Sequence, residues 1–366
     1  MHIAIDVHSL GTSAGGNETY FQQLLRGLAA DRSDLRYTLF YTHADAPATN
    51  DVDDRFRWVK VPQNRFARMC FSLPRQLRQA APKVFHCQYA LPLFTRTNSV
   101  VAIHDLAYEH YPEFAHPIEV AAMRRVVRST ARRADRVLTL SHFSAKDISR
   151  TYRVPEDKIV VTYLAASDAF HPRDKSAAQE RVASAYGIRP PLILYVGRIQ
   201  ARKNLLRLLD AYARLHSAGP APQLVIVGRR DFGFQQLQEK IHTLKLADRV
   251  ILPGYVAAAD LPLFYNAAEL FIFPSLFEGF GLPVLESMAS GVPTITSQGS
   301  ALEEVAGDGA LIIDPNDARA MTTAMESLLS NVELRRELIT RGLHRSAQFT
   351  VQKFAAKVSE VYRSLE

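Results

Sequence analysis

The stretch that decides the fold is Pro274 to Pro293, which reads PSLFEGFGLPVLESMASGVP. The apolar run Leu270 to Phe273 leads into it and predicts a buried strand, and a glycine-bearing turn follows. Pro283 is expected at the first position of a short helix, and Gly291 is expected to end that helix. The pattern therefore predicts a strand, a tight turn and a helix N-terminus in succession.

The turn of this stretch is a candidate binding site. The backbone N–H groups of Phe280, Gly281 and Leu282 are expected at a helix N-terminus, where they can hold an anion or a cluster of hydroxyl groups. Two carboxylates bracket the turn, Glu278 before it and Glu286 within the helix. A plainer interpretation is that Glu278 is a solvated loop charge and Glu286 complements the helix dipole. The stretch alone leaves both interpretations open.

Similar patterns recur on both sides of this stretch. Apolar runs alternate with helical patterns from His2 to Leu164, where the last run predicts a strand from Lys158 to Leu164. The alternation restarts with a predicted strand at Leu192 to Val196 and continues to Ile313. Such alternation predicts α/β structure, with parallel sheets covered by helices on both faces. Because one core rarely fills 366 residues, we predict two Rossmann-like, doubly wound domains, residues 1–170 and 171–348. A last helix, residues 349–366, is expected to pack back across the domain boundary.

Composition is that of an ordinary globular protein, with 47% hydrophobic and 22% charged residues. No apolar run approaches the roughly 18 residues of a membrane span, and the start of the chain lacks the features of a signal peptide. We therefore expect a cytoplasmic protein. Cys70 and Cys87 are too few for a disulfide framework or a cysteine metal site, so both are expected to be reduced thiols.

The positive charge is concentrated in the N-terminal half. The net charge is +7, and residues 1–170 hold 22 Lys and Arg against 17 Asp and Glu, which gives +5 of that total. Residues 64–84 carry basic and apolar side chains without an acid, as membrane-surface segments do, and residues 124–136 place six arginines along one predicted helix. A solvated helix face is the common explanation of such runs. The alternative is contact with an anionic membrane or acceptor, through Arg65, Arg68, Arg75, Arg78, Arg124 and Arg128.

Glycines and polar residues follow several predicted strands. Gly15 and Gly16 follow the first strand and would let the backbone approach a ligand, although the spacing is not GxGxxG and an ordinary turn fits equally. His104 follows the apolar run VVAI, where its imidazole could hydrogen-bond a substrate hydroxyl or, with Asp105, simply cap the next loop. Arg198 and Lys203 follow the strand that starts the second half. Two cations at the mouth of a sheet suit a diphosphate, and surface charge is the alternative.

Together these features resemble family 4 retaining glycosyltransferases of the GT-B fold, in which two Rossmann-like domains face a central cleft. The resemblance is carried by the glycine pair at 15–16, the His-Asp pair at 104–105, YVGRIQARKNL at 195–205, PGYV at 253–256 and EGFGLPVLE at 278–286. It covers nearly the whole chain. The EGFGLPVLE and GR…KN elements are its most specific parts.

The resemblance implies a role for each candidate residue. Arg198 and Lys203 would neutralise the donor diphosphate, and Glu286 would accept hydrogen bonds from the ribose. Glu278 and the turn amides would hold the donor sugar. The other residues implied in donor binding or catalysis are Gly15, Gly16, His104, Tyr255, Val256, Phe280, Gly281 and Leu282.

The implied reaction retains the anomeric configuration through a front-face, oxocarbenium-like step in which the leaving phosphate helps to deprotonate the acceptor. The resemblance implies no metal and no cofactor, only a nucleotide-sugar co-substrate. Two departures leave the donor nucleotide open. The segment Ala165 to Asp168 stands where the family often has Asn-Gly-Val-Asp, and PGYV continues with three alanines rather than an acid that could bind a guanine edge. GDP-mannose is the favoured donor and a UDP-sugar is the alternative.

The acceptor is expected to be lipid-linked or a glycan, and the enzyme is expected to lie peripherally at the cytoplasmic membrane face. Other classes are weighed beside this one. A GT-B nucleotide-sugar epimerase would release free sugar without an acceptor. A nucleic-acid binder is suggested by the pI of about 9.4, but no reader motif is present and nucleic acid is not expected as a partner. A metal-dependent GT-A transferase would need a DxD motif, for which Asp51 to Asp53 is the single candidate.

Overall fold

A computed structural model describes residues 1–12, 15–31, 33–48, 52–93, 95–114, 116–217, 221–231 and 233–366. The chain forms two compact units. The first unit comprises Met1–Glu109, Pro117–Ala165 and Phe349–Glu366, and the second comprises His110–His116 and Ala166–Gln348. The prediction of two Rossmann-like α/β domains is confirmed. The units meet in sequence at Ala165, where the predicted boundary was residue 170.

Within the described residues, the first unit is built on a seven-stranded parallel sheet of order β3-β2-β1-β4-β5-β6-β7. The strands are β1 (His2–Asp6), β2 (Arg36–Tyr41), β3 (Phe56–Lys60), β4 (Val84–Gln88), β5 (Asn98–Ala102), β6 (Arg136–Thr139) and β7 (Ile159–Val161). Ile3 of β1 pairs with Tyr37 of β2 on one side and Val84 of β4 on the other. The strand order therefore changes direction between β1 and β4, as in a doubly wound sheet.

Helices connect these parallel strands. Up to residue 165 they are α1 (Gly16–Ala30), α2 (Asp45–Ala48), α3 (Arg65–Ala67), α4 (Leu73–Ala80), α5 (Ala107–His110), α6 (Pro117–Arg133) and α7 (His142–Tyr152). A π-helical turn, Arg68–Ser72, lies between α3 and α4, and 3-10 turns lie at Pro112–Phe114 and Glu156–Lys158. The fully buried strand β4 and the buried residues of β5 form the centre of the core, together with apolar side chains of α4 and α6.

In the same described part of the chain, the second unit holds a six-stranded parallel sheet of order β10-β9-β8-β11-β12-β13. The strands are β8 (Leu192–Val196), β9 (Gln223–Val227), β10 (Val250–Gly254), β11 (Ala268–Phe273), β12 (Thr294–Ser297) and β13 (Leu311–Ile313). β8 lies between β9 and β11, so this sheet changes direction between β8 and β11. β8 coincides with its predicted limits, because the run Leu192 to Val196 is apolar throughout and buried.

The helices after residue 165 are α8 (Lys175–Tyr186), α9 (Leu205–Ser217), α10 (Phe234–Thr243), α11 (Leu261–Ala267), α12 (Leu282–Ala289), α13 (Ala301–Ala306), α14 (Ala318–Ser330), α15 (Val332–Ser346) and α16 (Val351–Arg363), with a 3-10 turn at Ala201–Lys203. α16 belongs to the first unit and packs against α1. The helices approach closely at Gly27, where a Cβ atom would lie 2.4 Å from the Cβ of Ala355. A hydrogen bond of 2.6 Å joins Tyr362 of α16 to His86 of β4. The last helix is thus fastened into the first unit by both packing and a buried polar contact.

Candidate active site

The central strands of the second sheet bring two sequence motifs to one edge. β8 leads through Gly197 and Arg198 into the 3-10 turn Ala201–Lys203, and the neighbouring β11 leads through Pro274 into the turn before α12. Because the two strands are parallel, both motifs leave the sheet at its carboxyl edge, where its direction changes. Ligands of open α/β sheets bind at this position.

Glu278 is the centre of a buried charge cluster at this edge. Its Oε1 atom contacts the Nζ of Lys203, lies 3.1 Å from a guanidinium nitrogen of Arg202, and accepts a hydrogen bond of 2.6 Å from Ser275. Glu278 and Lys203 are each only 7% exposed. The structure therefore joins Lys203 and Glu278, which the sequence placed in two separate motifs, and rejects the interpretation of Glu278 as a solvated loop charge.

The cluster keeps Glu278 ionised. Burial by itself raises the pKa of a carboxyl group, but the charges of Arg202 and Lys203 and the hydrogen bonds from Lys203 and Ser275 outweigh it, and they lower the pKa of Glu278 to about 2. The Lys203 ammonium also lies 5.0 Å from the centre of the Phe273 ring. A fixed negative charge thus lies beside two cations at the carboxyl edge of the sheet.

Arg202 links the two motifs in both directions. Its guanidinium donates a hydrogen bond of 2.8 Å to the carbonyl oxygen of Phe277, and its own carbonyl oxygen accepts from the Leu276 amide at 2.8 Å. Asn204 completes the link by donating to the carbonyl oxygens of Pro274 and Pro315. Asn204 has a left-handed backbone, with φ of 62°, and its side-chain oxygen accepts a hydrogen bond of 3.0 Å from the Arg207 guanidinium.

Arg198 lies at the open side of this edge. Its side chain is about half exposed, and a guanidinium nitrogen lies 3.7 Å from the Asp231 carboxylate, which also accepts a hydrogen bond from Gln200. The main chain is crowded here. A Cβ atom on Gly228 would lie 1.8 Å from the Gly197 carbonyl oxygen, so β9 can approach β8 this closely only with glycine at 228.

The turn before α12 has the predicted form. Gly281 precedes the helix with φ of 101°, a left-handed backbone that favours glycine, and a Cβ atom there would lie 2.3 Å from a terminal methyl group of Leu302, which would have to move. Leu282 rather than Pro283 is the first helical residue. Phe280 is buried, which leaves its backbone, and not its side chain, suited to a ligand.

Glu286 lies in α12 in a different environment from Glu278. Its side chain is half-buried, and Tyr265 donates a hydrogen bond of 2.9 Å to its Oε2 atom. Burial raises the pKa of Glu286 to about 8, and the Tyr265 hydrogen bond only partly opposes this shift. Two carboxylates eight residues apart therefore differ in protonation at neutral pH, because the adjacent cations lower the pKa of Glu278 and burial raises that of Glu286.

The PGYV segment contributes one exposed ring. Tyr255 is largely exposed, and the guanidinium of Arg229 lies 4.7 Å from the centre of its ring. The Val256 side chain is buried. Of the two residues predicted here for donor binding, Tyr255 presents its side chain and Val256 does not.

In the first unit, the carboxyl edge carries the predicted glycine pair. Gly15 precedes α1 with φ of 65°, and Gly16 is the first helical residue. A Cβ atom on either would meet no other atom of the described residues within 4 Å. The described residues therefore leave room for a side chain at position 16. Glycine at this position fits a role in which the backbone must come close to a ligand.

His104 lies two residues beyond the end of β5 and is buried. Its Nε2 atom is 3.0 Å from the side-chain nitrogen of Gln88, and the rings of Tyr20 and Tyr89 pack against the imidazole. Burial lowers the pKa of His104 to about 3, so the imidazole is neutral at physiological pH. Asp105 caps the next loop by accepting a hydrogen bond from the Ala107 amide.

The basic residues of the first unit divide into two groups. Arg65, Arg75 and Arg78 are exposed, close in sequence to the rings of Phe66 and Phe71, which are 68% and 65% exposed. The prediction that Arg68 contacts a membrane surface is wrong. Arg68 is 7% exposed, its Nε lies 3.9 Å from the buried Asp6 carboxylate, and it donates to the Gln63 carbonyl.

Arg124 and Arg128 line a surface groove of about 730 Å³ between α6 and α7. Arg124 forms an ion pair of 2.8 Å with Glu109, and Arg128 lies over the Tyr152 ring. Glu109 therefore neutralises part of the charge of this arginine run. None of the helices in the described part of the chain has the length and apolarity that a membrane crossing needs.

The DxD candidate is only partly described. Asp51 lies outside the described residues. Asp53 forms an ion pair of 2.7 Å with Arg55, which lowers the pKa of Asp53 chiefly through their side-chain hydrogen bonds. Its carboxylate thus already serves a local structural contact.

Several site residues were not singled out from the sequence. Arg202 and Ser275 hold Glu278, Tyr265 contacts Glu286, and Gln88 contacts His104. Arg202 adjoins Lys203, so a search for every cation in that turn would have found it. No spacing signal links Tyr265 to Glu286 or Gln88 to His104, because these pairs form only when neighbouring elements pack.

The chain matches two family descriptions that together cover most of it. The one described as "Glycosyl transferases group 1" matches residues 178–345, and "Glycosyltransferase Family 4" matches residues 14–170. O-antigen chain mannosyltransferase B of Escherichia coli is 32% identical over 268 residues, which cover 73% of this chain and 70% of that protein.

Solved structures share the fold. Sucrose-phosphate synthase from Thermosynechococcus elongatus aligns over 100% of this chain and 99% of its own, with a TM-score of 0.82 and 22% identity. Anabaena HepE in complex with UDP-glucose aligns over 100% of both chains, with a TM-score of 0.79 and 16% identity.

Proposed function

Because the chain belongs to glycosyltransferase family 4 and has the GT-B fold, we propose that it transfers a hexose from a nucleotide diphosphate sugar to a lipid-linked or glycan acceptor. The observation that carries this proposal is the cluster of Arg202, Lys203 and Glu278 at the point where the second sheet changes direction. This transfer would contribute to the synthesis of a cell-surface polysaccharide or glycolipid. Mannose is the favoured sugar, since the Escherichia coli relative bears the name of a mannosyltransferase.

The proposed reaction retains configuration and needs no metal ion. Arg198 and Lys203 would stabilise the charge that grows on the diphosphate as its bond to the sugar breaks. The leaving phosphate then accepts the proton of the acceptor hydroxyl as the new glycosidic bond forms on the same face. Because these cations act on charge that develops in the transition state, removing them should reduce kcat more than it weakens donor binding.

Each of the remaining residues is proposed to bind a different part of the donor. Glu286 would bind the ribose hydroxyls, and Glu278 with the backbone of the turn at Gly281 would bind the sugar. Gly16 and His104 of the first unit would contact the phosphate and the sugar. Tyr255 is suited to contact the base, because its exposed ring offers a flat apolar surface.

Donor identity is tested by thermal shift with GDP, UDP, ADP and their sugars. A ligand at 100 times its Kd stabilises by about 2.7 kcal/mol, so the matching nucleotide should raise Tm clearly above the others. Transfer is then assayed with the matching sugar nucleotide and lipid-linked or oligosaccharide acceptors. Lys203→Gln should reduce the rate of transfer, and Lys175→Gln, which removes a surface ammonium that pairs with Glu269, serves as the control. Stabilisation by none of the nucleotides would contradict the proposal, and sugar release that needs no acceptor would favour the epimerase.

Membrane association is proposed through the segment 65–78. Its exposed Phe66 and Phe71 rings lie 5.8 Å apart and would enter the interface, with Arg65, Arg75 and Arg78 facing anionic head groups. Replacing the three arginines by glutamine should reduce sedimentation with anionic liposomes, more strongly at low salt than at high salt. The control makes the same charge change in the second unit, at Arg214, Arg319 and Arg336. Equal loss in both triple variants would point to net charge rather than to this segment.

A further inference from the structure

The imidazole of His104 is held on several sides by other side chains. It lies next to the ring of Tyr20, with 4.8 Å between the ring centres, and near the ring of Tyr89 at 5.6 Å. Its Nε2 atom is 3.0 Å from the Nε2 of Gln88. Its Nδ1 atom is buried and has no hydrogen-bond partner among the described residues. Which of the two ring nitrogens carries the proton therefore decides what His104 offers to a ligand.

The partners of Gln88 settle the orientation of its amide. The same Gln88 nitrogen that faces His104 also lies 3.0 Å from the carbonyl oxygen of Asn17. A carbonyl oxygen only accepts, so the atom facing it must be the NH2 group and not the amide oxygen. The Ser9 hydroxyl lies 3.4 Å from the Gln88 oxygen and can donate to it. The Ser9 hydroxyl can donate or accept, so the Asn17 carbonyl oxygen is the partner that decides the orientation.

This orientation fixes which ring nitrogen of His104 carries the proton. The NH2 group has two hydrogens, one for the Asn17 carbonyl oxygen and one for the Nε2 atom of His104. Nε2 must then accept, so the single proton of the neutral imidazole is on Nδ1. That N–H is buried and leaves a donor without an acceptor in the described protein, a costly arrangement that a bound ligand oxygen would relieve.

We propose that Gln88 is a positioning residue that fixes the proton of His104 on Nδ1, so that His104 presents a neutral N–H donor to a hydroxyl or ring oxygen of the bound sugar. The assignment of the ligand as a sugar rests on the proposed function. The assignment of the tautomer rests only on the network of Gln88, Asn17 and Ser9. Because Asn17 lies in the first turn of α1, directly after Gly15 and Gly16, the same network ties His104 to the glycine turn.

The tautomer is measured by NMR on the protein without ligand, labelled with 15N-histidine. Long-range 1H–15N spectra separate protonated from unprotonated ring nitrogens, and the His104→Gln variant identifies the signals by their loss. The wild type should show Nδ1 protonated and Nε2 unprotonated. Protonation on Nε2 in the wild type would overturn the proposal, whether or not the protein transfers sugar.

Two variants test the role of Gln88. Gln88→Met keeps the length of the side chain and removes the donor, so His104 should lose its preference for the Nδ1 proton. Gln88→Glu places an acceptor beside Nε2 and should move a proton there. The control is Gln23→Met, since Gln23 is also buried in the first unit and exchanges two hydrogen bonds with the backbone of Ala165, away from His104. It should reduce stability and leave the tautomer unchanged.

Transfer assays complete the test. Gln88→Met should lower kcat/KM by about 2- to 12-fold, as expected for one neutral hydrogen bond, and Gln23→Met should not. An unchanged His104 tautomer in Gln88→Met refutes the positioning role even if activity falls. If neither Gln88 variant folds, the wild-type tautomer still decides between the two proton positions. A wild-type Nδ1 proton in a protein that binds no sugar nucleotide would refute the proposed function and leave the tautomer assignment standing.

Discussion

The raised pKa of Glu286 predicts that donor binding depends on pH. Burial raises the pKa of this carboxyl group to about 8, so most molecules hold it protonated at neutral pH. A ribose that donates two hydroxyl hydrogens requires the carboxylate form, which can accept both. Binding below pH 8 should therefore release a proton, and affinity should rise with pH. With a pKa of 8, the ionised fraction is about 1% at pH 6 and about 50% at pH 8, which predicts about 50-fold weaker binding at pH 6.

Calorimetric titration with the sugar nucleotide at pH 6, 7 and 8 measures this dependence. The sugar nucleotide is preferred to the free diphosphate because both of its phosphates are diesterified and do not titrate in this range. Buffers with different ionisation enthalpies report the number of protons released. Constant affinity and no proton release between pH 6 and pH 8 would refute the assignment of Glu286 to the ribose.

Two variants separate Glu286 from the other titrating groups. Glu286→Gln should bind more weakly at pH 8 and lose the pH dependence. Tyr265→Phe removes a hydrogen bond that lowers the pKa of Glu286, so its binding curve should shift to higher pH. The contribution of Glu286 to folding stability should change with pH in the opposite direction to its contribution to donor binding. A carboxyl group whose pKa is raised by folding loses stability as pH rises from its ordinary value of about 4.5 through 8, and Glu286→Gln should lack this loss in urea unfolding.

Three further substitutions test the described contacts. Lys203→Gln removes a charge-assisted contact worth about 1.5 to 3 kcal/mol and should lower kcat by about 10- to 150-fold; an unchanged kcat in steady-state assays would reject its role at the diphosphate. Gly281→Ala should destabilise the protein by about 1 to 3 kcal/mol in urea unfolding, because φ is 101° and the new Cβ would lie 2.3 Å from a leucine side chain; an unchanged midpoint would mean that the turn rearranges freely. Arg68→Met leaves the Asp6 carboxylate buried beside an apolar chain and should cost about 1 to 3 kcal/mol, while liposome binding should stay at the wild-type level.

The sequence predicted the strands of the sheets more accurately than it predicted the contacts that the strands and loops make. β8 has its predicted limits because a fully buried parallel strand is a continuous apolar run. β7 is shorter than predicted and ends at Val161, although the apolar pattern continues to Leu164. Apolar residues that follow a strand look the same in sequence whether they pair with a neighbour or pack as a loop.

The misplacement of Arg68 has a definite structural cause. The run from Arg65 to Ala80 is divided into α3, a π-helical turn and α4. Arg68 is the first residue of the π-helical turn and is buried with its Nε 3.9 Å from the Asp6 carboxylate, whereas Arg65, Arg75 and Arg78 are exposed as expected. The spacing of charges does not reveal where such a turn occurs.

The turn before α12 gains a more specific role from its buried charges. Glu278 and a donor diphosphate would compete for the Lys203 ammonium, because both are anions. Arg202 also contacts Glu278 and would hold its charge if Lys203 turned toward the phosphates. Donor binding would then replace Glu278 by a phosphate as the partner of Lys203. The Oε1 atom of Glu278 could then accept a hydrogen bond from a sugar hydroxyl. Arg202→Gln would remove this second partner, so it should weaken donor binding more than Arg198→Gln does, and the reverse order in calorimetry would show that Glu278 does not need Arg202 when the donor is bound.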